Sequence, residues 1–139
     1  MAWLLDTNIV SELRKGRAAH PNVLAWTASV RREKQFLSVL SLGEIHRGIQ
    51  QIRGRDSVQA DALEQWFSLL KKRYATEILP VCESVAERWG DLNARRSFPV
   101  VDGLLAATAR VHHLRIATRN TADFSGAGVE VHNPFTFQG

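Results

Sequence analysis

Short apolar runs alternate along this chain with longer stretches whose apolar residues recur every three or four positions. Trp3-Leu4-Leu5 stops at an acid, Asp6, and is too short for a helix, so it predicts a buried strand. Thr7-Asn8 reads as a polar turn and Ile9–Leu13 as the start of a short helix. Pro21 takes the favoured first-turn position of a helix carrying Val23, Leu24, Trp26, Ala28 and Val30. Phe36–Leu40 predicts a second strand. Ser41-Leu42-Gly43-Glu44 has the spacing of a capping box and predicts a helix through Ile52. After a polar loop, Arg53–Ser57, a longer helix runs from about Val58 to Tyr74, with Ala62, Leu63, Trp66, Leu69 and Leu70 at helical spacing. Ile78–Val81 predicts a third strand and Ser84–Arg95 an amphipathic helix. Val100–Ala109, rich in small and apolar residues, predicts a buried helix packed closely on a sheet. Leu114–Thr118 and Val129–Val131 complete the strands, and Asn133-Pro134 ends the regular structure. Strands alternating with helices predict an α/β fold whose central, mainly parallel sheet is flanked by helices.

Composition narrows the class. The 139 residues fit a single domain, 1–139, with 45% apolar and 23% charged residues, able to bury a core without disulfides. No apolar run reaches the ~20 residues that span a bilayer, and the N-terminus has no basic region before an apolar core, so a soluble, unprocessed chain is expected. The one cysteine, Cys82, flanks the run Ile78–Val81 and is expected as a buried, reduced thiol, which suits a cytoplasmic location. A net charge of +4 favours a polyanionic partner without naming one. The basic residues are scattered: Arg31-Arg32, Arg53 and Arg55, Lys71-Lys72-Arg73, Arg95-Arg96. Each cluster alone reads as solvated helix surface; together they suit contact with RNA phosphates.

The informative acids stand at element ends. Asp6 ends the first strand, Glu44 lies in the first turn after the second, Asp102 begins a helix, and Asp123 follows the fourth strand near Asn120. In open α/β sheets, sites form beyond the carboxyl ends of the strands. Crowded carboxylates repel, and a divalent cation resolves the cost; hard oxygen donors suit Mg²⁺ or Mn²⁺, which activate water against a phosphodiester. Singly, Glu44 and Asp102 also read as helix-start acids matched to the dipole, and Asp123 as a turn residue. Asp6, directly after a strand, has no obvious capping partner. Gly43 and Gly48 lack the Lys-Ser/Thr of a P-loop, and His20, His46, His112, His113 and His132 form no Cys/His zinc spacing. The four tryptophans sit mostly in apolar patterns, as core or interface residues.

Four segments, in order, resemble PIN-domain proteins: Leu4-Leu5-Asp6-Thr7-Asn8 with Ser11-Glu12; Ser38–Glu44; Asp102-Gly103-Leu104-Leu105-Ala106-Ala107-Thr108-Ala109; and Ala117-Thr118-Arg119-Asn120-Thr121-Ala122-Asp123-Phe124. The resemblance spans nearly the whole chain and is greatest to the VapC and FitB-type toxins of bacterial toxin–antitoxin pairs. It implies a PIN fold and a Mg²⁺- or Mn²⁺-dependent endoribonuclease in which Asp6, Glu44 and Asp102 match the metal-binding acids and Asp123 a fourth. Some relatives carry Asp where this chain has Asn120. Thr7 and Thr118 fall at hydroxyl positions beside the acids, and Asn8 either serves the site or closes the turn. The resemblance further implies a homodimer or larger assembly, a VapB-like antitoxin whose other end binds promoter DNA, and structured RNA targets such as tRNA or rRNA. Two other outcomes fit the residues: a structure-specific DNA nuclease, and a non-catalytic PIN-like module that binds RNA or protein.

Overall fold

A computed structural model describes residues 2–139. Five short strands form one parallel sheet in the order β3-β2-β1-β4-β5. They are β1 (Trp3–Leu5), β2 (Gln35–Ser38), β3 (Ile78–Leu79), β4 (Arg115–Ala117) and β5 (Val131–His132). Six helices connect them: α1 (Thr7–Leu13), α2 (Pro21–Ser29), α3 (Val39–Arg53), α4 (Ser57–Arg73), α5 (Glu83–Arg95) and α6 (Val100–Val111). The expected α/β architecture is therefore present.

Alternation along each strand divides the interior in two. Trp3 and Leu5 of β1, Leu37 of β2 and Ala117 of β4 face a core shared with α1 to α4, centred on Ile9, Trp26, Ile45, Ile49 and Phe67. Leu4 and Ile116 face the opposite core, built by α5 and α6 around Val85, Leu92 and Leu105. The small residues of α6 serve this packing: Ala106, Ala107 and Ala109 are fully buried. At Gly103 an added Cβ would stand 3.1–3.2 Å from Asn93 and Trp89 of α5. That close approach seats the first turn of α6, which carries Asp102.

Several local expectations are corrected. Helix α1 begins at Thr7, two residues early, because Asp6 caps it: its carboxylate accepts the Thr7 amide at 2.7 Å. The capping box is not used. Ser38 caps α3 by accepting from the Leu40 amide at 3.0 Å, so Val39 and Leu40 are helical, Ser41 is buried in the helix, and Glu44 lies in its second turn. Pro80, which has no amide proton for the ladder, follows the end of β3 at Leu79. The chain then leaves the sheet, and Cys82 takes the N-cap position of α5, its thiol exposed rather than buried and making no capping bond. In α4 the packed face is Ala60, Phe67 and Leu70; Ala62 is exposed and Leu69 is 65% exposed. Leu24 and Ala28 of α2 likewise face outward, while Val23 and Trp26 are buried. Asp123 lies in a short 3₁₀ turn, Thr121–Phe124, instead of an open loop.

A candidate metal-dependent nuclease site

All strands being parallel, their carboxyl ends share one edge. From β1 the chain builds outward through β2 and β3, then returns to place β4 and β5 on the other side. The crevice of such a sheet opens at that reversal, between β1 and β4. Asp6 follows β1 there and Thr118 follows β4, with the Asp6 amide donating to the Ala117 carbonyl at 2.9 Å.

Asp6 is 7% exposed and firmly held. Beyond the Thr7 amide on Oδ1, its Oδ2 accepts from the Thr118 hydroxyl at 2.8 Å and from Asn8 Nδ2 at 3.4 Å. The Thr118 oxygen in turn accepts from Asn8 Nδ2 at 3.2 Å and the Asn120 amide at 3.1 Å. Asn8 also accepts the Arg119 amide at 3.1 Å, so one side chain bridges the ends of β1 and β4. Across the crevice, the Thr7 hydroxyl donates to Glu44 Oε1 at 2.6 Å and thereby ties α3 to α1. Asp102 enters from the first turn of α6, half-buried, and Asp123 from the 3₁₀ turn, exposed.

The four acids feel one another. Burial is the main force pushing the Asp6 carboxyl up, opposed by the Thr118 and Thr7 hydrogen bonds and reinforced by the charges of Glu44 and Asp123. Asp102 is pushed up to about 6, first by desolvation, then by Asp123, Asp6 and Glu44. Among the described residues, no Lys, Arg or His forms an ion pair with any of the four.

The donor set fits a hard divalent cation. All four side chains offer oxygen, their mutual repulsion is uncompensated by the protein, and Mg²⁺ needs only one or two direct carboxylates because it retains waters. Among the described residues, no three His, Cys, Asp or Glu side chains stand close enough together to hold a metal ion as a group.

A pH effect follows from Asp102. Its ordinary value is 3.8 and its folded value about 6, so the fold binds that proton more tightly than the unfolded chain does. The stability it contributes is present below pH ~4 and is lost as pH rises through about 6. In chelator, Asp102→Asn is therefore expected to gain melting temperature relative to wild type between pH 4 and 7, on the order of a few degrees. Parallel melting curves across that interval would contradict the assignment.

The structure brings Asp6, Thr7, Asn8, Glu44 and Thr118 into one bonded network, and charge coupling adds Asp102 and Asp123. Asn120 joins only through its backbone; its side chain is exposed and makes no hydrogen bond among the described residues. His46 points elsewhere, tilted over Phe67 at 6.4 Å. Unforeseen from sequence were the partner of Thr7 and the cap role of Asp6; only the Ser/Thr/Asp content of the strand ends hinted at either.

The chain is similar to known proteins in sequence and fold. The PIN domain matches residues 3–128. The chain is 34% identical to Toxin FitB of Neisseria gonorrhoeae, covering 95% of this chain and 97% of FitB. It is 33% identical to VapC ribonuclease Y4jK of Sinorhizobium fredii, over 95% and 96% of the two chains. Its fold matches the FitAcB crystal structure from N. gonorrhoeae at a TM-score of 0.87 and 30% identity, over 97% of this chain and 99% of that one; FitAB is also solved on a DNA fragment. With the family domain matched almost end to end and two relatives above 30% identity over nearly the full length, the chain belongs to the PIN-domain family, among the toxins of the VapC/FitB type.

Proposed function

We propose that this chain is the toxin of a type II toxin–antitoxin pair, an endoribonuclease that uses Mg²⁺, or Mn²⁺ in its place, held by Asp6, Glu44, Asp102 and Asp123. The observation that carries this is the charge-coupled set of four carboxylates, none of them ion-paired to Lys, Arg or His among the described residues, at the β1/β4 crevice of a basic domain. When bound, the ion lowers the pKa of a water and offsets charge developing on the phosphodiester.

The chain's own residues prepare for that chemistry. Thr118, the Thr7 amide and Asn8 fix the Asp6 carboxylate in place. Thr7 orients Glu44, and above pH ~6 Asp102 is ionised and ready to ligate. The burial of Asp6 limits competing water at its side of the site. Asn120, a neutral amide, leaves the fourth acidic position to Asp123.

The FitAB structure bound to a DNA fragment supports a link of this kind of toxin to DNA; the proposal extends to neutralisation by a VapB-like antitoxin whose other end binds promoter DNA, and to a homodimeric or larger assembly. No helix among the described residues is long and apolar enough to cross a membrane, and a cytoplasmic site of action on tRNA or rRNA is proposed.

Purified protein incubated with tRNA and rRNA in Mg²⁺ is expected to give discrete fragments, lost on chelation and restored by Mg²⁺ or Mn²⁺. Cleavage of flapped DNA in preference to RNA would instead establish a DNA nuclease. Absence of metal binding by calorimetry, with no cleavage of either, would leave a binding module.

A further inference from the structure

Arg119 stands beside the acids but does not join them. Its amide is bonded to Asn8, which also reaches Asp6, so its backbone is fixed one residue from the Thr118 hydroxyl that holds Asp6. Four nearby carboxylates would draw a free guanidinium into an ion pair, yet among the described residues Arg119 pairs with none. Its guanidinium lies over the Phe135 ring instead, 4.4 Å from the centroid. That ring is itself fixed. His20 meets it at 5.4 Å in a T-shaped contact, Asn22 Nδ2 donates to the Phe135 carbonyl at 2.8 Å, and Asn133 accepts the Phe135 amide at 2.9 Å. Asn133 Nδ2 also reaches back toward the Arg119 carbonyl at 3.5 Å. An exposed cation, on the residue that follows Thr118, is thus held by an aromatic platform with its hydrogen-bond donors unspent.

We infer that Arg119, stacked on Phe135, is the residue that takes the RNA phosphate next to the one being cleaved. The inference rests on the ribonuclease reading above. A substrate backbone entering a cluster of four acids meets repulsion at every phosphate except those neutralised by a cation. The scissile phosphate would be served by the ion proposed for the acid site. The neighbouring phosphate needs a separate positive group just outside it, and the planar guanidinium supplies paired donors suited to phosphate oxygens. Stacking on Phe135 keeps that group oriented before substrate arrives, so less freedom is lost on binding. Arg119 is accordingly a positioning residue for substrate, without a role in bond breaking.

The test measures binding of a short fluorescein-labelled single-stranded RNA of mixed sequence by anisotropy, in the Asp6→Asn full-length background so that nothing is cleaved. Adding Arg119→Ala is expected to weaken binding about five- to tenfold at low salt and to reduce the slope of log affinity against log salt by about 0.7, one phosphate contact. Arg119→Lys should keep the slope and recover part of the affinity. Phe135→Leu should weaken binding but leave the slope, because the cation remains. In the active protein, Arg119→Ala should raise KM with kcat nearly unchanged, at an unaltered melting temperature. An unchanged salt slope in Arg119→Ala, or a loss confined to kcat, would overturn the inference while leaving the ribonuclease intact. A wild-type chain that neither binds nor cuts RNA would overturn both.

Discussion

Asp6→Asn is expected to lower RNA cleavage at least about a hundredfold, because even groups one step removed from a metal commonly matter by 10–100-fold. The substitution removes the buried charge that five neighbours are arranged around: Thr7, Asn8 and Thr118 by hydrogen bond, Glu44 and Asp123 by charge. It does not remove the fold. Asn is as good a helix cap as Asp, and its side-chain oxygen can still accept the Thr7 amide. Its new amide group must donate where a carboxylate accepted. The Thr118 hydroxyl can turn to accept it, at the expense of the longer Asn8 contact. Loss of one desolvated charge from a repulsive cluster leaves the metal-free protein at least as stable as wild type. Fragment mapping and a melting curve on the same preparation check both halves. Cleavage at the wild-type rate, or a protein that fails to fold, would count against this site.

Trp26→Ala is expected to cost about 3–5 kcal/mol, the range for deleting a large buried aromatic, against the ~5–15 kcal/mol that holds a typical domain together. Trp26 is 1% exposed. It meets Trp3 of β1 edge-on at 5.1 Å and stacks near His132 of β5 at 6.2 Å. His132 continues the pile to Phe137 at 6.1 Å. One ring on α2 therefore ties the central strand, an edge strand and the C-terminal segment together. Truncation leaves a cavity that none of these anchored groups can easily refill. Urea denaturation followed by far-ultraviolet circular dichroism measures the loss. A cost below ~1 kcal/mol would mean that the ring pile does not hold the C-terminal segment.

The parallel sheet was legible because its strands are short apolar runs separated by strongly periodic helices. Its cores were less so. Periodicity placed Leu63, Trp66 and Leu70 correctly on the packed face of α4, but it also put Ala62 and Leu69 there, whereas Ala60 and Phe67 are the ones buried. Cap chemistry also misled where two candidates competed. The Ser41–Glu44 spacing suits a capping box and Ser38 reads as strand, but β2 ends at Ser38, which caps α3 instead. Cys82 adjoins an apolar run that suits the interior, but Pro80 ends the ladder at Leu79 and the chain leaves the sheet before Cys82 is reached. For the acids, position relative to strand ends pointed to one edge, and the ordered motifs selected Asp6, Glu44, Asp102 and Asp123. What could not be read was the wiring between them. The Thr7–Glu44 bond joins residues 37 apart, and the Thr118–Asp6 bond residues 112 apart. Neither distance leaves a local trace in the chain.

The double service of Asp6, cap and acid at once, has a genetic side. Asp and Asn codons differ by a single base, and at this position the exchange is expected to disarm the site while keeping the helix start. A cell burdened by the active enzyme thus has a one-step escape that preserves a folded, full-length protein, still able to occupy whatever partner recognises its surface. Loss of the poison need not mean loss of the protein.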